Sequence, residues 1–379
     1  MSLPRRDFLA GSAAWAAGKP PSFAAAIKAH MAALPPGPVL LHSYLVRQGK
    51  GANAFDLTQA NAAYVYDNAL AGLLLLAAGA RSDALRIGQA LAIAQAHDRF
   101  FHDGRLRNAY QAGAMATPAK LPGFWNSKTQ QWDEDPYQLG TDSGPVAWAM
   151  LLWAALGLKE PAKRAGDFLN AQLRAPSGYY GGFYGFDAHQ SKLLWQSTEQ
   201  NTDLSAAFHA VGRKADAQHA AAFVRGMFNA KSGLFATGMG PGGQVNRTLC
   251  ADAGIWPYLA GLGDAKSAFK AILALQHGAG IGFSAASQGI WLEGTSFAML
   301  ALKRMSNDLA AGFWTTVRRN IAPSGYVYAT VAAEMSTGLR VGPALKPGQP
   351  ELAFNYYRRP SLSATSWAGL AAMGVNPLG

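Results

Sequence analysis

The sequence predicts an all-α fold: an (α/α)6 toroid of six helical hairpins, closed by pairing of the first and last helices. Three observations carry the prediction. Apolar residues recur with helical period along most of the chain, in segments that come in pairs. A turn of one form recurs at the joints. The first and last helical segments each lack a neighbour in sequence, so that only their pairing completes the set.

Residues 22–34 form the first, single helix. Pairs follow at 58–80 with 82–97, 143–156 with 161–173, 198–211 with 214–228, 247–262 with 265–277, and 289–305 with 307–320; the last helix is 361–373. The joints His102-Asp103-Gly104-Arg105-Leu106, Pro176-Ser177-Gly178-Tyr179-Tyr180, Lys231-Ser232-Gly233-Leu234-Phe235 and Pro323-Ser324-Gly325-Tyr326-Val327 share one pattern. A helix stops, a polar residue and a glycine turn the chain, and an aromatic or aliphatic residue packs back; glycine suits such a stop because it tolerates positive φ. His277-Gly278-Ala279-Gly280-Ile281-Gly282-Phe283 is a looser copy.

Within each pair the first helix is the more apolar, as in Gly72-Leu73-Leu74-Leu75-Leu76-Ala77 and Ala147-Trp148-Ala149-Met150-Leu151-Leu152. A helix apolar nearly all round is buried on all sides. The second helices carry charge on one face, through Asp83 and Arg86, Lys163, Arg164 and Asp167, Lys214 and Asp216, and Lys266 and Lys270. An inner ring of buried helices inside an outer ring of amphipathic ones follows. An open solenoid is disfavoured, because no polar capping repeat is visible. Loops 108–141 and 329–360, the latter holding Pro343, Pro347 and Pro350, interrupt the pattern; structureless loops of this length are usually functional or lid-like. No linker divides the chain, so residues 22–379 read as one domain.

Half of the 379 residues are apolar, enough for a sizeable core. The net charge is +11 and the pI about 9.7. That balance allows an anionic partner, but Lys and Arg are scattered and no basic run recurs, which argues against nucleic acid. The lone Cys250, between Leu249 and Ala251, excludes an intrachain disulfide and reads as a buried structural thiol. Residues 1–21 resemble a twin-arginine export signal: Arg5-Arg6 precede Phe8-Leu9 and a mildly apolar stretch, with small residues near Ala17 and Ala24 for cleavage. The expected location is the periplasm or another exported compartment. The most apolar run, residues 69–80, is too short to span a bilayer, so no integral membrane segment is expected once the signal is removed.

In a toroid, polar residues near the starts of the inner helices face the central cavity. Those starts supply Tyr66-Asp67-Asn68, Thr141-Asp142-Ser143, Trp195 with Glu199, Asn201 and Asp203, then Asp252 with Trp256, and Trp291 with Glu293. Each well-defined inner helix thus offers a carboxylate, usually with an aromatic close by. Aromatic faces stack on the C–H faces of sugar rings, and paired carboxyls serve as general acid and base in glycoside hydrolysis. Trp125, Trp132, Trp195, Trp256 and Trp291 fall in or near this rim. Glu199 and Asp203, four apart, share a helix face, although Glu199 also suits the helix dipole with Ser197 or Thr198 as cap. Asp67 lies inside an apolar helix, where a carboxylate is costly unless bonded or open to a cavity. Glu293 stands two residues after Trp291. Capping or buried hydrogen bonding accounts for Asp252 and Asp142. The eight histidines show no metal-ligand spacing, and no P-loop, dinucleotide fingerprint or nucleophile elbow occurs, so neither metal nor cofactor is expected.

The hairpin ring, Tyr66-Asp67-Asn68-Ala69-Leu70, Ser197-Thr198-Glu199-Gln200-Asn201-Thr202-Asp203, Trp291-Leu292-Glu293-Gly294 and Ala364-Thr365-Ser366-Trp367 together resemble the bacterial six-hairpin glycosidase-like group. The resemblance covers nearly the whole chain after the signal. It implies an (α/α)6 barrel and carbohydrate-active chemistry, within a group that includes hydrolases, lyases and epimerases. Glu199-Gln200-Asn201 stands where related sequences typically show Glu-His-Asn. The leading expectation is a periplasmic glycoside hydrolase acting on a poly- or oligosaccharide. Glu199 protonates the leaving oxygen and Asp67 activates water, with Glu293 as the third catalytic candidate; inversion is expected by analogy with the fold. Tyr66, Asn68, Trp195, Asn201, Asp203, Asp252, Trp256 and Trp291 are the candidate substrate contacts. The alternatives are a lyase or epimerase on uronic or amino sugars, using His189, Tyr180 and Arg247, and a non-catalytic saccharide-binding component of an envelope polysaccharide machine.

Overall fold

A computed structural model describes residues 22–341 and 352–379. The expected export signal, at 1–21, lies outside these residues, as do Pro343, Pro347 and Pro350. Thirteen helices, α1 to α13, form the frame of the described residues, and the strands between them pair only in twos and threes.

In chain order the helices are α1 (Phe23–Ala32), α2 (Ala54–Thr58), α3 (Val65–Ala77), α4 (Arg81–Ala96), α5 (Ser143–Leu156), α6 (Lys159–Phe168), α7 (Thr198–Ala210), α8 (Lys214–Gly226), α9 (Ala251–Leu259), α10 (Ala265–Ala274), α11 (Leu292–Arg304), α12 (Leu309–Arg319) and α13 (Leu362–Met373). Their ends have identifiable causes. The Ser197 and Ser361 side chains accept from the backbone N–H of Gln200 and Ala364, capping α7 and α13. Gly157 and Gly374 stop α5 and α13 in the left-handed conformation.

The segment expected as one helix over 58–80 is broken. Asn53 and Asp56 form a capping box that starts α2, and the strand Ala62–Tyr64 intervenes before α3. Asp56 is further tied to Arg359 by paired bonds of 2.6 and 2.7 Å. The helix expected over 247–262 shortens to α9, which carries Pro257 inside it. Loop 108–141 is not structureless: it holds four short strands and is anchored by the buried pair Arg107–Asp98 at 2.6 Å. In loop 329–360, the strand Glu334–Val341 pairs antiparallel with Leu352–Tyr357.

The more apolar helices, here called inner, contact one another in chain order, and the more charged ones, called outer, contact them. The inner helix α3 packs on α5, α5 on α7, α7 on α9, α9 on α11, α11 on α13, and α13 again on α3. The outer helices α4, α6, α8, α10 and α12 each pack on the inner helix before them, and α1 packs on α13.

The segments leading into the inner helices are stitched together. Ala62–Tyr64, before α3, pairs with Ala109–Gln111; Thr141–Asp142, before α5, with Gly182–Tyr184; and Gln196–Ser197, before α7, with Gly238–Met239. Cys250 bridges Ser284, Trp291 bridges Thr330 and Ser361 bridges Tyr44 ahead of α9, α11 and α13. Cys250 is buried, as its apolar neighbours suggested, and burial pushes its thiol up. Backbone pairing therefore sets where every inner helix begins, and that is what positions the site.

Candidate active site

Because the helix starts are fixed, equivalent positions can be read across them. The second residue of each inner helix is Tyr66, Gly144, Glu199, Asp252, Glu293 and Ser363 in turn. One turn further in, the sixth is Leu70, Trp148, Asp203, Trp256, Phe297 and Trp367. Residues four apart lie on one helix face, so the two sets form an outer polar layer over an inner aromatic layer.

The inner layer is a plug. Trp148, Trp256, Phe297 and Trp367, from four different helices, meet with ring centroids 5.5–5.8 Å apart, and Tyr66 packs on Trp148 at 5.3 Å. Edge contacts of this kind contribute about 0.5–1.5 kcal/mol each beyond area burial. Leu70 and Asp203 take the two remaining places, and burial holds the Asp203 carboxyl well above the usual range.

The polar layer above is linked by short bonds. Tyr66 donates to Glu293 Oε1 at 2.6 Å and accepts from Trp367 Nε1 at 2.7 Å, while Ser363 donates to Glu293 Oε2 at 2.7 Å. Glu199 and Asp252 stand close enough that each alters the proton affinity of the other. Gly144 leaves room for its neighbours: a Cβ there would stand 3.0 Å from Gln200 and 3.2 Å from Asp203 Oδ2.

Burial raises the pKa of every carboxyl in the cluster, because removal from water disfavours the charged form. Burial pushes Glu293 and Asp142 up to about 7, Tyr66 and Ser363 restraining the first, Asn108 and Tyr137 the second. Asp252 rises to about 6. Glu199 lies well above the carboxylate range through burial and then the charge of Asp252, yet it keeps partial solvent access. Asp67 is also held well above it, by burial and then by Glu293. The cluster can therefore donate and accept protons near neutrality.

The other expected residues divide. Asp67 is the third residue of α3, one step out of the inward register, and its carboxyl bonds to Ser43. Trp291 precedes α11 and stacks on Tyr356 at 5.5 Å; its indole N–H and that of Trp256 are buried without a partner. Trp195 is half-buried with its ring against Gly181, where a Cβ would meet it at 2.6 Å.

Asn68 and Asn201, expected as substrate contacts, have another role. Both are buried fourth residues of their helices, where Thr295 and Thr365 stand in α11 and α13. Asn68 bonds the backbone N–H and C=O of Leu41, Asn201 those of Tyr179, while Thr295 and Thr365 accept from Ile281 and Val327. These side chains pin the neighbouring chain segments to the ring. His189 and Arg247 are exposed on the loops, and Tyr180 is half-buried with Lys192 Nζ 4.9 Å above its ring.

Four contributors were absent from the expected set. Tyr44 and Tyr356 sense the charges of Asp67 and Glu293; Ser363 fills the carboxylate position of α13; and Tyr137 bonds Asp142. Comparing second helix positions would have found Ser363, whereas Tyr44 and Tyr137 lie on loops that carry no period and Tyr356 lies on a strand inside a segment read as loop. Among the described residues no group of His, Cys, Asp and Glu is arranged to hold a metal ion.

No protein-family model and no curated protein matches the chain. Solved structures do. A glycosidase variant in complex with glucose is similar over 95% of this chain and 97% of its own, with a TM-score of 0.57 at 12% identity. A sugar epimerase from a ruminal bacterium is similar over 92% and 96%, with a TM-score of 0.55 at 10% identity. A D-mannose isomerase is similar over 93% and 96%, with a TM-score of 0.54 at 10% identity. At such identities the likeness is one of fold, and over nearly the whole chain it is consistent with a glycosidase-like helical barrel.

Proposed function

We propose that the chain is a closed (α/α)6 toroid and a glycoside hydrolase of poly- or oligosaccharides. The observation that carries the reading is the layer of second helix positions, where Glu199, Asp252 and Glu293 stand together over an aromatic floor with their proton affinities raised. Glu199 is the general acid: burial and the charge of Asp252 hold it well above the usual carboxylate range, and it retains access to solvent. Glu293 is the base that activates water. Tyr66 and Ser363 fix both of its oxygens, and with burial raising it to about 7 it can take up a proton near neutrality, while Asp67 stands one step out of the layer of second helix positions. The base role therefore passes from Asp67 to Glu293. Inversion is proposed by analogy with the fold, and the product anomer tests it.

The second reading, a lyase or epimerase on acidic sugars, needs a base beside a cation. The ring of carboxyls favours an uncharged substrate instead, and the basic surplus of the chain lies elsewhere. Export through the twin-arginine route, to the periplasm, is part of the proposal: replacing Arg5 and Arg6 by Lys should trap the precursor, and unchanged export would refute it.

The test is a polysaccharide panel read by reducing ends, ultraviolet absorbance and product anomer. The expected result is new reducing ends without absorbance. Glu199→Gln should lose about 10²–10⁴ in rate while keeping its helical circular dichroism. Unsaturated or epimerised products, or full turnover by Glu199→Gln, would overturn the assignment.

A further inference from the structure

Outside the ring, the strands Phe124–Asn126 and Gln131–Asp133 form a hairpin whose register sets Trp125 directly opposite Trp132. Cross-strand partners share a face, yet Trp125 is 57% and Trp132 50% exposed, so neither covers the other. Large aromatics left open in company mark a binding surface more often than chance. Trp132 is also held in position. The pyrrole edge of its indole rests against Gly123, where a Cβ would stand 2.4 Å from Nε1.

The hairpin borders a cleft of about 460 Å³, walled by Phe124, Trp132, Asp133, Glu134, Asp135 and Phe186. Phe186, 48% exposed, is brought to this wall by the bond from Gly185 N–H to the Pro136 carbonyl. The carboxylates are fixed acceptors. Arg99 grips Glu134 through bonds of 2.6 and 2.8 Å, Asn126 donates to Asp133 at 2.7 Å, and Asp135 accepts from the Tyr137 and Gln138 backbone. Arg99 is shared with Asp187, so acidic groups outnumber the cations, Arg99 and the exposed Lys128 of the hairpin turn.

Five residues beyond Trp132 the chain reaches Tyr137, a span of at most about 18 Å. Tyr137 is 42% exposed and lies beside Asp142, whose proton affinity it restrains. The exposed aromatics of the hairpin thus stand one short segment from a residue beside the buried carboxyls.

We propose that this hairpin and cleft are an outer subsite for an uncharged hexopyranose oligosaccharide, which stacks on Trp132 and Trp125 and enters the ring over Tyr137. The inference rests on the hydrolase reading and adds to it the length and charge of the substrate. Sugar C–H faces stack on the indoles, and the fixed carboxylates accept hydroxyl protons; a uronate chain would meet the same carboxylates as a repulsion.

The test is binding of cellohexaose, maltohexaose, a hexameric oligogalacturonate and the matching disaccharides, by calorimetry and tryptophan fluorescence, with turnover followed in parallel. One neutral hexasaccharide should bind better than its disaccharide. Trp132→Ala should weaken that hexasaccharide about tenfold or more and lower the ratio of hexasaccharide to disaccharide kcat/KM by a similar factor. Trp132→Tyr should restore most of the loss, and Trp125→Ala gives an independent reading should Trp132→Ala unfold. Hexasaccharide binding unchanged in both alanine variants would overturn the subsite, while loss of turnover in Glu199→Gln would leave the hydrolase reading standing. Preference for the oligogalacturonate would overturn the charge argument. A wild-type chain that neither binds nor cleaves any probe would overturn both.

Discussion

Replacing Tyr66 by Phe should change how stability depends on pH, and no substrate is needed to see it. The hydroxyl is the donor that favours ionised Glu293 and the acceptor for Trp367 Nε1, at 2.6 and 2.7 Å. In the wild type, Glu293 rises from an ordinary 4.5 to about 7 on folding. Between these values the folded chain binds more protons than the unfolded one, so stability falls as pH rises through that window, by about 3 kcal/mol in all. A hydrogen bond to a charged group contributes about 1.5–3 kcal/mol. Its loss moves Glu293 up by about one to two further units, and the fall then continues to about pH 8–9. The buried Trp367 N–H left without a partner adds about 1–3 kcal/mol that does not vary with pH. Urea midpoints of wild type and Tyr66→Phe should therefore differ by a constant amount near pH 5, and by about 1.5–3 kcal/mol more at pH 9. The other carboxyls are common to both chains and largely cancel. A gap of equal size at pH 5 and pH 9 would show that Tyr66 does not hold Glu293 ionised.

Three further outcomes follow from the same geometry. Arg359→Met strands the buried Asp56 carboxylate and should cost about 3–5 kcal/mol at pH 7; because Asp56 is lowered to about 2, its contribution is full above 3.8 and lost as pH falls through 2, so the variant and wild-type urea midpoints should converge in acid. Gly182→Ala places a methyl 1.8 Å from the Thr141 carbonyl at φ +148°, and should cost about 2 kcal/mol or more by thermal unfolding while displacing the neighbouring Asp142. Asn201→Ala should lower stability by about 2–3 kcal/mol, since the Tyr179 backbone loses both partners; a raised KM at unchanged stability would instead mark Asn201 as a sugar contact.

Much of the frame was legible because it repeats. Buried helices such as α5, amphipathic ones such as α10 and glycine stops announce themselves locally, and α5 starts and ends where its apolar run does. The carboxylates were legible for the same reason, as polar residues at the starts of apolar helices. What the sequence hid was register. Asp67 and Tyr66 are neighbours with equal claims by pattern, and only the pairing of Ala62–Tyr64 with Ala109–Gln111 decides which is the second helix position. Asn68 and Asn201 hold distant backbone, a role that looks, in sequence, like that of an amide awaiting a ligand. Tyr44 and Tyr137 were missed because a loop residue has no period to betray where it lands, and Tyr356 because its strand pairs across a segment that reads as loop.

The bond between Tyr66 and Trp367 spans 301 residues and that between Tyr66 and Glu293 spans 227. The hairpins are local and form early as the chain leaves the ribosome, whereas contacts of such sequence separation close last. Until α13 docks, α3 lacks one wall neighbour, Glu293 lacks Ser363, and the aromatic floor lacks one of its tiles. A chain that stops short of α13 therefore leaves the Tyr66–Glu293 layer without Ser363 and Trp367, and the last helix completes the contacts that the earlier ones begin.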